Sequence, residues 1–119
     1  MDDFCLIAKL LAAIKSTEDD ERFNVLLVDE KTLKTTAAHR DMLAYKLKQA
    51  GYIDGLCIID DVNGMSRPAV LWERSKPYIT IAGMEYIQNS DPLKTAVNSL
   101  KDSAIGIAET MLTNAILKL

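Results

Sequence analysis

The sequence predicts an α+β domain in which a helical core carries a β-hairpin and is followed by a further helix. Three observations predict it. Apolar residues recur at helical spacing near both ends of the chain, a capped polar helix closes at Gly51, and "GYIDGLCIIDDVNGMSRPAVLW", from Gly51 to Trp72, reads as two extended runs flanking Asn63-Gly64. With 119 residues, 49% hydrophobic and 26% charged, the chain can build one domain with a real core plus an extension, but not two domains of ordinary size. The expected division is residues 1–90 for the domain and 91–119 for a C-terminal helical arm.

The elements follow in order. Phe4, Ile7, Ala8, Leu11 and Ile14 mark an amphipathic helix, and Leu6, Leu10 and Ala13 widen its stripe, so this helix is expected to be buried on more than one side. Ser16 to Asn24 is polar and acidic, too charged to pack, and reads as a loop. Val25-Leu26-Leu27-Val28 is short, β-branched at both ends and bounded by polar residues, which predicts a short strand. Asp29 can cap a brief helix through Leu33, and Thr35 or Thr36 can accept from the orphan amides of the next, longer one. On that helix Leu43, Leu47 and Ala50 form an inward stripe, while Ala38, His39, Asp41, Met42, Tyr45, Lys46 and Gln49 are expected to face water. Gly51 suits the left-handed turn that ends it.

Tyr52 to Ile59 and Pro68 to Trp72 are the predicted arms of the hairpin, with a tip built around Asn63-Gly64. Thr80 can cap a helix reaching about Gln88. Ser90 or Asp91 can cap the last one, with Pro92 in its first turn. In that last segment Leu93, Val97, Leu100, Ala104, Ile107, Met111, Ala115 and Leu119 form one stripe, and Ile105, Ala108, Leu112 and Ile116 add a second from Ala104 onward. A core this small can hardly cover both, so pairing with a second copy of the chain is expected. The expected contacts are Leu93, Val97, Leu100, Ala104, Ile105, Ile107, Ala108, Met111, Leu112 and Ile116.

Several function classes find no support. Cys5 and Cys57 each lie inside an apolar element and read as small core residues rather than a disulfide or metal pair. No histidine stands at metal-ligand spacing from the acids, and there is no phosphate-binding glycine loop, nucleophile elbow or recognisable nucleophile motif, so neither an enzyme nor a cofactor is expected. No apolar run approaches the roughly 20 residues that cross a bilayer. Met1-Asp2-Asp3 carries acids where a secretory signal carries bases, so a cytoplasmic protein without membrane association is expected.

The net charge of −3 is unevenly spread. Glu18, Asp19, Asp20, Glu21, Asp29 and Glu30 face Arg22 alone, whereas from Lys31 to Gln49 the cations Lys31, Lys34, Arg40, Lys46 and Lys48 face only Asp41. Arg67, Arg74 and Lys76 then outnumber Glu73 around the hairpin. Such asymmetry can place a basic face on an acidic protein.

The order of helix, short strand, short helix, longer helix, hairpin and helix is that of a winged helix-turn-helix. In that architecture the third helix enters the major groove and the hairpin lies beside it as a wing, so both must reach the same duplex. Base edges would meet Ala38, His39, Met42, Tyr45 and Lys46. Thr35, Thr36 and Arg40 would lie near phosphates, with Ser66, Arg67 and Arg74 on the wing. The expected partners are therefore duplex DNA and a second copy of the chain, with no small-molecule effector indicated. The same residues also have plain structural readings. Lys46 and Lys48 can be the solvated side of a helix, His39 a surface residue, Tyr45 packing on the wing, Trp72 a core plug behind it, and Gly83 a point of close packing. The alternative is a non-catalytic protein-interaction module on the same scaffold, favoured by the acidic total and by Asp41 and Asp54 near the supposed groove face.

The segments "AGYIDGL" and "YITIAGMEYIQNS", with an acidic hairpin tip and a second strand between them, resemble the YjcQ family of small bacterial and phage proteins. In that family a Gly-Tyr-Ile segment precedes the wing and a Leu-Thr-x-x-Gly-x-x-Tyr-Leu segment follows it. The resemblance covers Val28 to Asn89 and implies a winged-helix fold; it transfers no catalytic residue and no ligand. This sequence departs from the pattern at Arg40, where related sequences tend to place an apolar residue facing the core, and in its unusually hydrophobic C-terminal segment.

Overall fold

The first helix organises the molecule. The computed structural model describes residues 3–59 and 68–102, with 97–102 described by backbone alone. Helix α1 (Asp3–Ser16) buries Leu6, Ala8, Leu10, Leu11, Ala12, Ala13 and Ile14, a burial on more than one side that its widened stripe predicts. It packs against α3 (Ala37–Gln49), β4 (Tyr78–Ile79) and α5, which is described over Asp91–Asp102. Burying a Leu or Ile side chain contributes about 1.5–3 kcal/mol, so Leu6, Leu10, Leu11 and Ile14 together form the main apolar anchor of the fold.

The loop after α1 is less solvated than its charge predicts. Glu18 Oε1 accepts from the backbone N–H of Ile79 at 2.7 Å, and the Thr17 hydroxyl donates to the carbonyl of Ala13 at 3.0 Å. Phe23 is buried with its ring stacked on Trp72, centroids 5.5 Å apart. Asp19, Asp20 and Glu21 remain exposed.

Val25–Val28 is not a strand but a 3-10 turn. The side chain of Asn24 accepts from Leu26 N at 3.1 Å, and Asp29 N–H returns to Leu26 O at 3.4 Å, so local side-chain capping draws the backbone away from extension. Only Val28 of the four is buried. Asp29 then caps α2 (Glu30–Leu33) through Lys31 N, as its position predicts. Lys34 ends α2 in the left-handed conformation, at φ 56°.

Thr36 caps α3, its hydroxyl accepting from His39 N at 3.2 Å. The helix closes on a Schellman arrangement: Gly51, at φ 83°, donates to Lys48 O at 3.0 Å, and Tyr52 N donates to Leu47 O at 3.0 Å. Leu43, Ala44 and Leu47 are buried beneath it. Ala50, expected on the same stripe, is exposed, because it already belongs to the cap that turns the chain outward.

The first arm of the hairpin has two antiparallel partners. Its inner part, β1 (Ile53–Asp54), pairs with β4, and its outer part, β2 (Ile58–Ile59), pairs with β3 (Ala69–Val70). Between β3 and β4 the returning arm breaks into a 3-10 turn, Trp72–Arg74, that places Trp72 in the core at 3% exposure. Trp72 is therefore a core plug and not the end of a strand. The predicted tip around Asn63-Gly64 lies outside the described residues. Helix α4 (Ile81–Asn89) starts at the Thr80 cap, whose hydroxyl accepts from Gly83 N at 3.0 Å. Ser90 Oγ accepts from Leu93 N at 3.2 Å at the start of α5. The architecture is α+β: helices with two small antiparallel sheets among the described residues.

Candidate nucleic-acid interface

Helical geometry assigns the faces of α3. Ala38, Met42, Tyr45 and Gln49 follow one another three or four residues apart, with His39 and Lys46 beside them, while Leu43, Ala44 and Leu47 point to the core. Ala38, His39, Lys46 and Gln49 are exposed, and Met42 and Tyr45 are half-buried. Thr36 is exposed and Thr35 half-buried at the turn leading into the helix, where Lys31 and Lys34 are also exposed. The outward surface of α2, the turn and α3 is thus accessible along its length.

Asp41, expected on that surface, is buried at 7% exposure. Its Oδ1 accepts from Trp72 Nε1 at 2.9 Å and from Arg40 Nε at 2.8 Å, and its Oδ2 accepts from the backbone N–H of Val70 at 3.1 Å. A buried indole N–H needs an acceptor, and a buried carboxylate needs donors and a cation. Each requirement meets the other here.

Arg40 follows Asp41 inward. Beyond its bond to the carboxylate, its Nη1 donates to Val28 O at 2.9 Å and its guanidinium lies 5.7 Å from the centroid of the Trp72 ring. Its side chain is 13% exposed, so the guanidinium expected near phosphate is spent on the interior. The two opposite charges offset each other inside, leaving Lys31, Lys34, Lys46 and Lys48 as the charges that the stretch from Lys31 to Gln49 offers to solvent.

His39 stands on the outer face with Nε2 2.8 Å from Asp3 Oδ1, joining the start of α1 to the first turn of α3. Both side chains are largely exposed. This ordering contact across the mouth of the helix is one that spacing in the sequence does not signal.

Arg74 is exposed at the end of the 3-10 turn after β3, and Glu73 beside it is also exposed. Ser66 and Arg67 lie outside the described residues. Of the residues expected to join two copies, Leu93 is instead part of the chain's own core at 1% exposure, because α5 packs on α1. The side chains of Val97 and Leu100, and Ala104, Ile105, Ile107, Ala108, Met111, Leu112 and Ile116 altogether, lie outside the described residues. Among the described residues no helix is long and apolar enough to cross a membrane.

Comparison with known proteins gives one positive finding. A family model described as YjcQ protein matches residues 8–110, most of the chain. No curated protein and no solved structure matches it.

Proposed function

The chain belongs to the YjcQ family, and from that premise we propose that it is a non-catalytic winged-helix protein that binds duplex DNA and regulates transcription in a bacterium or phage as a homodimer. The observation that carries the reading is the outward face of α3. It is accessible and bears Lys46 and His39; the helix's own acid, Asp41, is turned into the core, while Asp3 of α1 meets His39 at the face's edge. A carboxylate on that face opposes phosphate; the withdrawal of Asp41 lessens that opposition and leaves Asp3, paired with His39, as the acid beside the helix.

Helix α2, the turn through Lys34, Thr35 and Thr36, and α3 make a helix-turn-helix, with Lys34 in the left-handed region that glycine normally fills at lower cost. A cation therefore stands exposed in the turn that leads into α3. In the dimer, the apolar stripes beyond α5's first turns would join two copies and set two recognition helices about 34–36 Å apart, one turn of B-DNA.

Mobility shift on genomic fragments at about 100 mM salt tests the reading. Retardation at micromolar protein that weakens steeply as salt rises supports it. No retardation, or retardation indifferent to salt, refutes it.

A second reading, a protein-interaction module, draws on the apolar residues Leu26 and Ile81, which are 68% and 76% exposed. Under it, Leu26→Ser and Ile81→Ser abolish partner capture while Lys46→Ala does nothing.

A further inference from the structure

The wing is too small to fix its own orientation. Strands β2 and β3 each contribute two paired residues among those described, and an isolated two-stranded ribbon is marginal in water. Val70 is buried in the core that Leu43, Ala44 and Leu47 of α3 share, and the directional bonds from the helix to the returning arm come from the Asp41 carboxylate. Leu71 N–H is spent on Cys57 O across the hairpin, at 2.8 Å, whereas the neighbouring Val70 N–H points the other way and would be a buried orphan donor without Asp41 Oδ2. Two residues further, the Trp72 indole N–H ends on Oδ1 of the same carboxylate. Two directional bonds from the returning arm therefore converge on one side chain of α3, whose Oδ1 also accepts from Arg40 Nε at 2.8 Å. Apolar contacts tolerate sliding, whereas hydrogen bonds weaken steeply once misaligned.

We propose that Asp41 is a positioning residue for DNA binding: without touching the duplex, it sets the wing against α3 so that Arg74 and Lys46 reach phosphates of the same site. The proposal rests on the duplex-DNA reading above. The substitution that isolates it is Asp41→Asn, which keeps the volume and one acceptor but turns an NH2 group toward either Val70 N–H or the Arg40 and Trp72 donors. Donor then faces donor, and one tether is lost.

The test measures binding of the full chain to a mixed-sequence duplex as a function of salt. In the parent, Lys46→Ala and Arg74→Ala each lower the slope of log K against log salt by about 0.9, one phosphate apiece. In the Asp41→Asn background Lys46→Ala still lowers it by about 0.9, and Arg74→Ala becomes silent because its phosphate is out of reach. A merely destabilised protein would lose affinity with both effects intact. Equal Arg74→Ala effects in the two backgrounds overturn the proposal and leave DNA binding standing. Absence of salt-dependent binding by the parent removes the reading beneath it, and the proposal with it.

The Trp72 indole N–H resonance of the free protein gives a second readout independent of DNA. Asp41→Asn shifts it if the tether exists; an unmoved resonance overturns the proposal. Should Asp41→Asn fail to fold, Trp72→Phe, which deletes one tether bond and keeps a ring against Phe23, carries the same Arg74 comparison.

Discussion

Replacing Gly83 by alanine sets two effects of opposite sign against each other. Alanine is the better helix former, by about 1 kcal/mol in a helix interior. Gly83 lies in the first turn of α4, however, where a Cβ would fall inside the contact distance of the Tyr52 carbonyl oxygen, 3.0 Å from its carbon and 2.7 Å from Ile79 Cγ2. The isoleucine can turn aside. The carbonyl cannot, because it accepts from Thr80 N at 3.0 Å and follows directly on the Gly51 turn that ends α3. Forcing a methyl into such a site costs about 1–3 kcal/mol, and a weakened Thr80 hydrogen bond adds about 1 kcal/mol. Net destabilisation of about 2 kcal/mol is expected, a loss on the order of 5–10 °C in Tm for a domain of this size. Urea unfolding followed by far-UV circular dichroism and by Trp72 fluorescence measures it, with the m-value unchanged. A Gly83→Ala protein as stable as the parent would refute the steric argument and the close approach of α4 to the root of the hairpin.

Further expectations follow from the same contacts. Thr36→Ala removes the cap of α3 and lowers stability by about 1 kcal/mol in urea titration, whereas Thr36→Ser restores most of it. Lys34→Gly relieves the left-handed strain and stabilises by about 0.5–1 kcal/mol, yet weakens duplex binding by one charge. Burial pushes the Tyr86 hydroxyl above its ordinary pKa of 10.0; a hydrogen bond with Ser90 opposes the shift and Tyr52, stacked on it at 4.3 Å, adds to it. A raised folded-state pKa means that the unfolded chain ionises first. Stability should therefore fall as pH rises above about 10, and Tyr86→Phe should flatten that fall in unfolding curves taken from pH 9 to 11.

Much of the fold was legible because caps and periodicity are local. Asp29, Thr36, Thr80 and Ser90 each accept from an amide at the helix start that their positions predict, and the widened stripe of α1 is buried on more than one side. Val25–Val28 reads as a strand because β-branched composition describes a residue's comfort in a sheet, while a strand also needs a partner, and the Asn24 side chain and the Asp29 backbone N–H bend this segment first. Asp41 misled more deeply. Periodicity assigns an acid to the wet side of a helix, and nothing nearby in sequence reveals that its donors arrive from Val70 and Trp72, some thirty residues on. The usable signals are indirect: a buried tryptophan needs an acceptor, and a buried arginine needs a counter-charge. The stripe that begins at Leu93 does not reveal that α1, at the other end of the sequence, covers this residue.

The most direct measurement of the central idea is a chemical-shift map of the backbone amides during titration with a short duplex. The account predicts that the largest shifts gather on Thr36, Ala38, His39, Met42, Tyr45, Lys46 and Arg74 and fade together as salt is raised. Shifts centred on Leu26 and Ile81, or none at all at micromolar duplex, would contradict it.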